Sequence, residues 1–164
     1  MNLRRVANQY SYVLVAVLAL LVGAFYVARE PRIARWIAWL IAAALLYVLY
    51  FVLRPGKPTV TDTAQLEAQV ARGQPLLLEL YSTFCLGSMI VKPVVDGIEQ
   101  EPGVAARLLR IDVTTPGGQD IARELEVDVT PTFIAVDSQG QEQWRLVGGA
   151  TNRLDLVKRL RRLT

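Results

Sequence analysis

The sequence predicts an α/β domain with a mixed central sheet flanked by helices, carried behind an N-terminal hairpin of two transmembrane helices. Three observations lead there. Two uncharged apolar runs, Tyr10–Ala28 and Trp36–Leu53, are about 19 and about 18 residues long, each enough to cross a bilayer. Beyond them, short apolar runs alternate with amphipathic stretches in an order that opens strand–helix–strand and closes on an antiparallel hairpin. The only cysteine, Cys85, stands where the first of those strands runs into its helix.

Composition narrows the function classes. With 164 residues there is room for one ordinary domain and an appendage. A hydrophobic share of 52% and a mean hydropathy of +0.30 are high for a wholly soluble chain, and the excess sits at the N-terminal end. A net charge of +3 gives no sign of nucleic-acid binding. One cysteine forbids an internal disulfide, so the redox compartment cannot be read from cysteine usage. The absence of histidine removes Cys–His and Ser–His–Asp catalysis and leaves too few soft ligands for an ordinary zinc site. Neither a metal nor a cofactor is expected.

Residues 1–54 read as the membrane anchor, with helices over about 10–28 and 36–53. Tyr10, Tyr12 and Tyr26 flank the first span, and Trp36, Trp39 and Tyr50 the second, as aromatic residues do at headgroup depth. The polar connection Arg29–Arg35 is short, so the spans run antiparallel. Ala19 with Gly23, and Ala38 with Ala42, are spaced to let two backbones approach. No Asp, Glu, Lys or Arg lies inside either span, so anchoring is favoured over ion transport. The rival reading is a cleaved signal peptide, from basic Arg4 and Arg5 and the small residues Gly23 and Ala24. Against it, the apolar run exceeds the ~7–15 residues of such segments.

Orientation turns on a small difference. Arg29, Arg32 and Arg35 lie in the hairpin loop, whereas Arg4, Arg5, Arg54, Lys57 and the α-amine lie on the other side. The excess favours a cytoplasmic soluble domain, with the extracytoplasmic side as the alternative.

Residues 55–58, within the stretch Arg54-Pro55-Gly56-Lys57-Pro58, form a linker that cannot continue a helix, and residues 59–164 form the soluble domain. Thr59–Val60 is expected to open it as a short strand. Asp62 or Thr61 caps a helix with Leu66 and Val70 inward, and Gly73 ends it. Leu76–Tyr81 is a doubly covered strand, followed by a helix with Ile90, Val91, Val94, Val95 and Ile98 along one face, bent near Pro93 and finished by Pro102-Gly103. Arg107–Val113 is a second buried strand and Asp120–Leu125 a short helix. Phe133–Val136 and Gln143–Val147 pair across the turn Asp137–Gly140, and Thr151 or Asn152 caps a last amphipathic helix bearing Leu156, Leu160 and Leu163.

A sulfur at the start of a helix meets unbonded backbone N–H groups and the positive end of the helix dipole, both of which favour negative charge on it. Cys85 is therefore the candidate nucleophile, and its bland counterpart is an inert core thiol.

From about Thr59 onward the chain resembles the thioredoxin family. Phe84-Cys85-Leu86-Gly87-Ser88-Met89 lies where that family carries Trp-Cys-Gly-Pro-Cys-Lys. Pro93 matches its active-helix proline, Glu79 its buried acid, and Thr130-Pro131-Thr132-Phe133 its cis-proline loop. The resemblance implies the thioredoxin fold, with Cys85, Ser88 and Glu79 at the catalytic positions and Phe84, Thr130 and Pro131 lining the client site. It implies client protein or peptide thiols as partners, and Thr130 backbone groups open to an extended client. The departures count equally: Ser88 replaces the second cysteine, Phe84 the tryptophan, Gly87 the proline and Met89 the lysine. A serine hydroxyl cannot close a disulfide, so release of a mixed disulfide would fall to glutathione or another thioredoxin. Phe84 and Met89 make the rim around the thiol more apolar. Glu79 has two readings: proton acceptor under the sulfur, or a side chain that points to solvent or pairs with a basic residue. Two functions follow: thiol–disulfide exchange through Cys85, or a redox-inactive interaction or assembly module on the same fold.

Overall fold

The computed structural model describes residues 3–30, 32–101, 106–148 and 152–163. A seven-residue helix, α1 (Leu3–Gln9), precedes the spans and is too short to leave a periodic pattern in the sequence. The two apolar runs form α2 (Ser11–Arg29) and α3 (Ile33–Leu53), both of membrane-spanning length, with mean hydropathies of 2.4 and 2.3. Almost none of their residues is fully buried, Val27 being the exception. Gly23 makes room for a side chain rather than a backbone: a Cβ there would lie 2.7 Å from Cδ1 of Trp39. The Trp39 indole in turn donates to the Leu20 carbonyl at 3.1 Å.

The soluble part is built on β1 (Leu76–Tyr81), whose six residues are all buried. Helix α4 (Thr63–Val70) comes before it, and its N-terminus is capped by Asp62, which accepts from Gln65 N at 2.8 Å. After β1 come α5 (Leu86–Glu99), β2 (Arg107–Asp112), α6 (Pro116–Glu124), β3 (Thr132–Val136), β4 (Glu142–Val147) and α7 (Arg153–Leu160). The sheet has four strands in the order β2-β1-β3-β4, with β2 parallel to β1 and the other two pairings antiparallel. This is the mixed sheet expected from the sequence.

Period-two alternation along β1 divides the core. Leu76, Leu78 and Leu80 join Val60, Ile111 and Ile121 on the face covered by α4 and α6. Leu77 joins Val91, Val95, Phe133 and Leu156 on the face covered by α5 and α7. Glu79 shares the parity of Leu77 and so lies on the α5 side. Asp137 closes the β3–β4 turn by accepting from Gln139 N and Gln141 N, both at 2.9 Å, and Gly140 there has a φ of +80°.

Some expectations are corrected. Thr59 and Val60 form no strand: both amides donate to the Arg110 carbonyl, at 2.9 and 3.3 Å, while Thr59 Oγ1 accepts from Arg110 N at 2.7 Å. A side-chain hydroxyl thus replaces one rung of the ladder that a strand would have supplied. Tyr81 ties the linker down as well, its hydroxyl donating to the Gly56 carbonyl at 2.7 Å. Burial, then the charges of Asp112 and Glu79, push the Tyr81 phenol far above its ordinary value. Helix α5 ends at Glu99, and the proposed stop at Pro102-Gly103 lies outside the described residues, as does the alternative cap Thr151. Asn152 caps α7, accepting from Leu154 N at 3.0 Å.

Candidate functional site

Cys85 is the N-cap residue of α5, in extended backbone geometry, because β1 ends at Tyr81 and the turn Ser82–Phe84 hands the chain to the helix. Its amide donates to the Ser82 carbonyl at 3.1 Å. The thiol does not cap its own helix. Instead Sγ donates to the carbonyl oxygen of Thr130 at 3.3 Å, across a loop in which the Thr130–Pro131 bond is cis. Gly87 permits this approach, since a Cβ on it would lie 3.1 Å from Pro131 Cδ and 3.7 Å from the Cys85 sulfur.

The other sequence-derived candidates gather around this point. Ser88, fully buried, accepts from the Ser82 amide at 3.3 Å. Glu79, 2% exposed, faces Arg110 Nε at 3.4 Å, the second of its two readings. The same guanidinium reaches Asp96 of α5 at 2.7 Å, and Asp96 also binds Lys92. Burial pushes the Asp96 carboxyl up, but hydrogen bonds from Lys92 and Arg110, with their charges, hold it below the usual carboxylate range. Met89 is fully buried, so it belongs to the packed interior and not to the rim of the thiol. Among the described residues, no group of three or more His, Cys, Asp or Glu side chains is arranged to hold a metal.

The unforeseen feature is what covers the thiol. Cys85 is 1% exposed, and part of its cover is the segment from Asn8 to Tyr12, where α1 passes into α2. The Asn8 carboxamide grips the proline loop. Its Oδ1 accepts from Thr130 N at 2.7 Å and from Thr130 Oγ1 at 3.0 Å, and its Nδ2 donates to the Thr130 carbonyl at 3.1 Å. Ser82 Oγ donates to the Gln9 carbonyl at 2.7 Å. Ser11 Oγ accepts from the amide of Leu86, the first residue of α5, at 3.0 Å, and Tyr12 N donates to the Phe84 carbonyl at 3.1 Å.

Phe84 stacks with two aromatic rings, Tyr10 at the start of α2 and Tyr50 of α3. Its centroid is 5.7 Å from Tyr10 and 6.2 Å from Tyr50, with interplanar angles of 14° and 7°. Arg5 adds a longer contact to the loop, 3.7 Å from Asp128. Sequence reasoning missed Asn8 and Ser11 because their partners are 122 and 75 positions away, and no local pattern announces such pairings. Tyr10 and Tyr50 were noticed, but as headgroup-depth aromatics. That reading leaves out the ring they stack on.

Comparison with known proteins gives the geometry a context. A family model described as Thioredoxin matches residues 57–162, beginning just after α3. A thioredoxin from Mycolicibacterium smegmatis is 29% identical over 101 residues, which is 62% of this chain and 88% of that protein. A bifunctional thioredoxin reductase/thioredoxin from Mycobacterium leprae (strain TN) is 28% identical over 101 residues, 62% of this chain but only 21% of that longer protein. Mitochondrial thioredoxin 3 from Saccharomyces cerevisiae, in its oxidised form, superposes with a TM-score of 0.54 at 23% identity, over 70% of this chain and 98% of that one, a likeness of fold.

Proposed function

The chain belongs to the thioredoxin family, and from that premise we propose that it is a membrane-tethered monothiol member which forms mixed disulfides with client proteins through Cys85. The observation that supports this best is the position of the sulfur, at the N-cap of α5 and 3.3 Å from the Thr130 carbonyl of the proline loop. In the proposed step Cys85 loses its proton and attacks one sulfur of a client disulfide. A Cys85–client bond forms as the client's own S–S bond breaks, and the other client sulfur leaves with the electron pair and takes up a proton. The number of disulfides is unchanged, so the step needs no separate oxidant.

Ser88 has no sulfur with which to resolve the adduct. A second thiol, glutathione or another thioredoxin, attacks the mixed disulfide and restores Cys85. Glu79, held by Arg110, fixes the interior charge beneath the helix, and Phe84 with the Thr130–Pro131 loop forms the surface a client meets. The hairpin serves as the tether in this reading, supported by two apolar helices of membrane-spanning length few of whose residues are buried. With three arginines on each side, the excess of basic groups comes from Lys57 and the α-amine and favours the cytoplasmic side, which a reporter fused after Thr164 checks.

Trapping in cells tests the central claim. The full chain is expected to yield reductant-sensitive high-mass adducts that Cys85→Ala abolishes. A second reading, a redox-inactive interaction or assembly module, draws support from a specific observation: the thiol is 1% exposed and the Thr130 and Leu86 backbone groups already have partners. It prevails if Cys85→Ala captures the same partners as the parent and reducible adducts never form.

A further inference from the structure

We propose that Asn8–Tyr12 is an intramolecular strap that fills the client groove, so that Cys85 reacts only from the open state in which Asn8 has left Thr130, a state that a competing backbone favours by taking its place. The proposal deepens the mixed-disulfide reading and rests on it for the identity of the nucleophile. A side-chain carboxamide carries the same donor and acceptor as a peptide group. Asn8 presents both to one residue, accepting from Thr130 N at 2.7 Å and donating to Thr130 O at 3.1 Å. That two-point pattern is how a neighbouring strand engages a residue, and it uses up the groups an extended client would need.

Three further contacts make the strap more than one side chain. Ser11 takes the first amide of α5, Gln9 takes the Ser82 hydroxyl, and Tyr10 stacks on Phe84, the residue immediately before the thiol. Together they cover the sulfur from the side of the hairpin. The strap is also tied to the tether, since Ser11 is the first residue of α2 and Tyr50, which also stacks on Phe84, belongs to α3. The groove therefore stands at the level where the spans meet the soluble part. A displacing client must bring an extended backbone to that level, which points to the juxtamembrane segment of another membrane protein.

The test uses the full chain in detergent micelles or nanodiscs and measures the alkylation rate of Cys85 by iodoacetamide. Asn8→Ala is expected to raise the rate at least about tenfold, the factor that about 1.4 kcal/mol represents, since it removes three hydrogen bonds. Tyr10→Ala removes the ring stack and no side-chain bond to Thr130, and is expected to raise the rate by a smaller factor. It serves as the second variant should Asn8→Ala lower the melting midpoint. Rates equal to the parent in both variants overturn the strap. An accelerated Asn8→Ala that still forms no reducible adducts leaves the strap standing and removes the mixed-disulfide reading instead.

Discussion

Arg110→Met tests the electrostatic arrangement under the active helix. Glu79 and Arg110 have side chains only 3% and 8% exposed, with Nε and Oε2 3.4 Å apart. The same guanidinium bonds Asp96 at 2.7 Å, but Asp96 is 35% exposed and keeps Lys92, so the loss falls chiefly on the buried Glu79–Arg110 pair. Removing one partner of a buried pair leaves an uncompensated charge and costs about 3–5 kcal/mol, and with Asp96 still served we take about 3. At roughly 4–8 °C per kcal/mol for a domain of this size, the midpoint of thermal unfolding falls by about 12–24 °C. Circular dichroism of the full chain in detergent reads this directly. Glu79→Leu combined with Arg110→Met exchanges both charges for apolar volume and is expected to recover most of the loss. The acid limb gives a second reading. Asp96 has its folded value depressed, so its contribution is present above the unfolded value of about 4 and disappears as pH falls through the folded one. Arg110→Met should flatten that limb. A single variant melting within about 3 °C of the parent, or a double variant no better than the single, refutes the view that Arg110 compensates a buried Glu79.

Two other substitutions probe separate parts of the argument. Gly118→Ala would place a Cβ 1.9 Å from the Asp112 carbonyl oxygen, a backbone atom that cannot swing aside, so a loss of at least about 3 kcal/mol is expected in the same melt; a midpoint unchanged from the parent would show that α6 can shift away from β2. Ser88→Cys restores the residue type that can resolve an adduct. Its two thiols should disappear together on mild oxidation and client adducts should become short-lived, whereas persistent adducts and two titratable thiols would show that position 88 does not reach Cys85.

The fold was legible because its signals are local. Leu76–Tyr81 is apolar but for Glu79, as a strand covered on both faces tends to be, and Asp62, Asn152 and Gly140 mark ends and turns with chemistry that acts over two to four residues, whereas the start of α6 at Thr115-Pro116 was missed because Pro116-Gly117-Gly118 reads as a turn. The two long apolar helices were equally plain, since length and the absence of charge define them. The site was only half legible. Cys85, Ser88 and the Thr130–Pro131 loop stood out as a motif, but their surroundings depend on Asn8, Ser11, Tyr10 and Tyr50, which lie in what the sequence presents as an anchor. Periodicity cannot show that a polar residue just before a span pairs with a loop 122 positions later. Glu79 shows the same limit, because its partner Arg110 comes from the neighbouring strand and only the register Glu79↔Arg110 brings the two together.

The energetics of the strap set what can open it. Three bonds from Asn8 at about 1 kcal/mol net each, about 1 for the Tyr10–Phe84 stack and about 1 for Ser11 at the start of α5 give roughly 5 kcal/mol of gross attraction. Against it stands the cost of ordering the residues between α1 and α2, about 1–2 kcal/mol for each one fixed, which falls mainly on Tyr10 because its neighbours are helical. A net preference of about 3 kcal/mol keeps roughly 99 chains in 100 closed, and inverting that ratio requires about 5.5 kcal/mol of differential binding to the open state. An extended backbone that bonds both Thr130 groups and packs on Phe84 inherits about 4 kcal/mol of this from what Asn8 and Tyr10 give up, and its remaining contacts must supply the other ~1–2 kcal/mol. Iodoacetamide has none of them. Its rate reports the open fraction without changing it, whereas a client shifts the equilibrium by binding, so Asn8→Ala should raise alkylation and sub-saturating client capture by the same factor, and only capture at saturating client should be indifferent to Asn8.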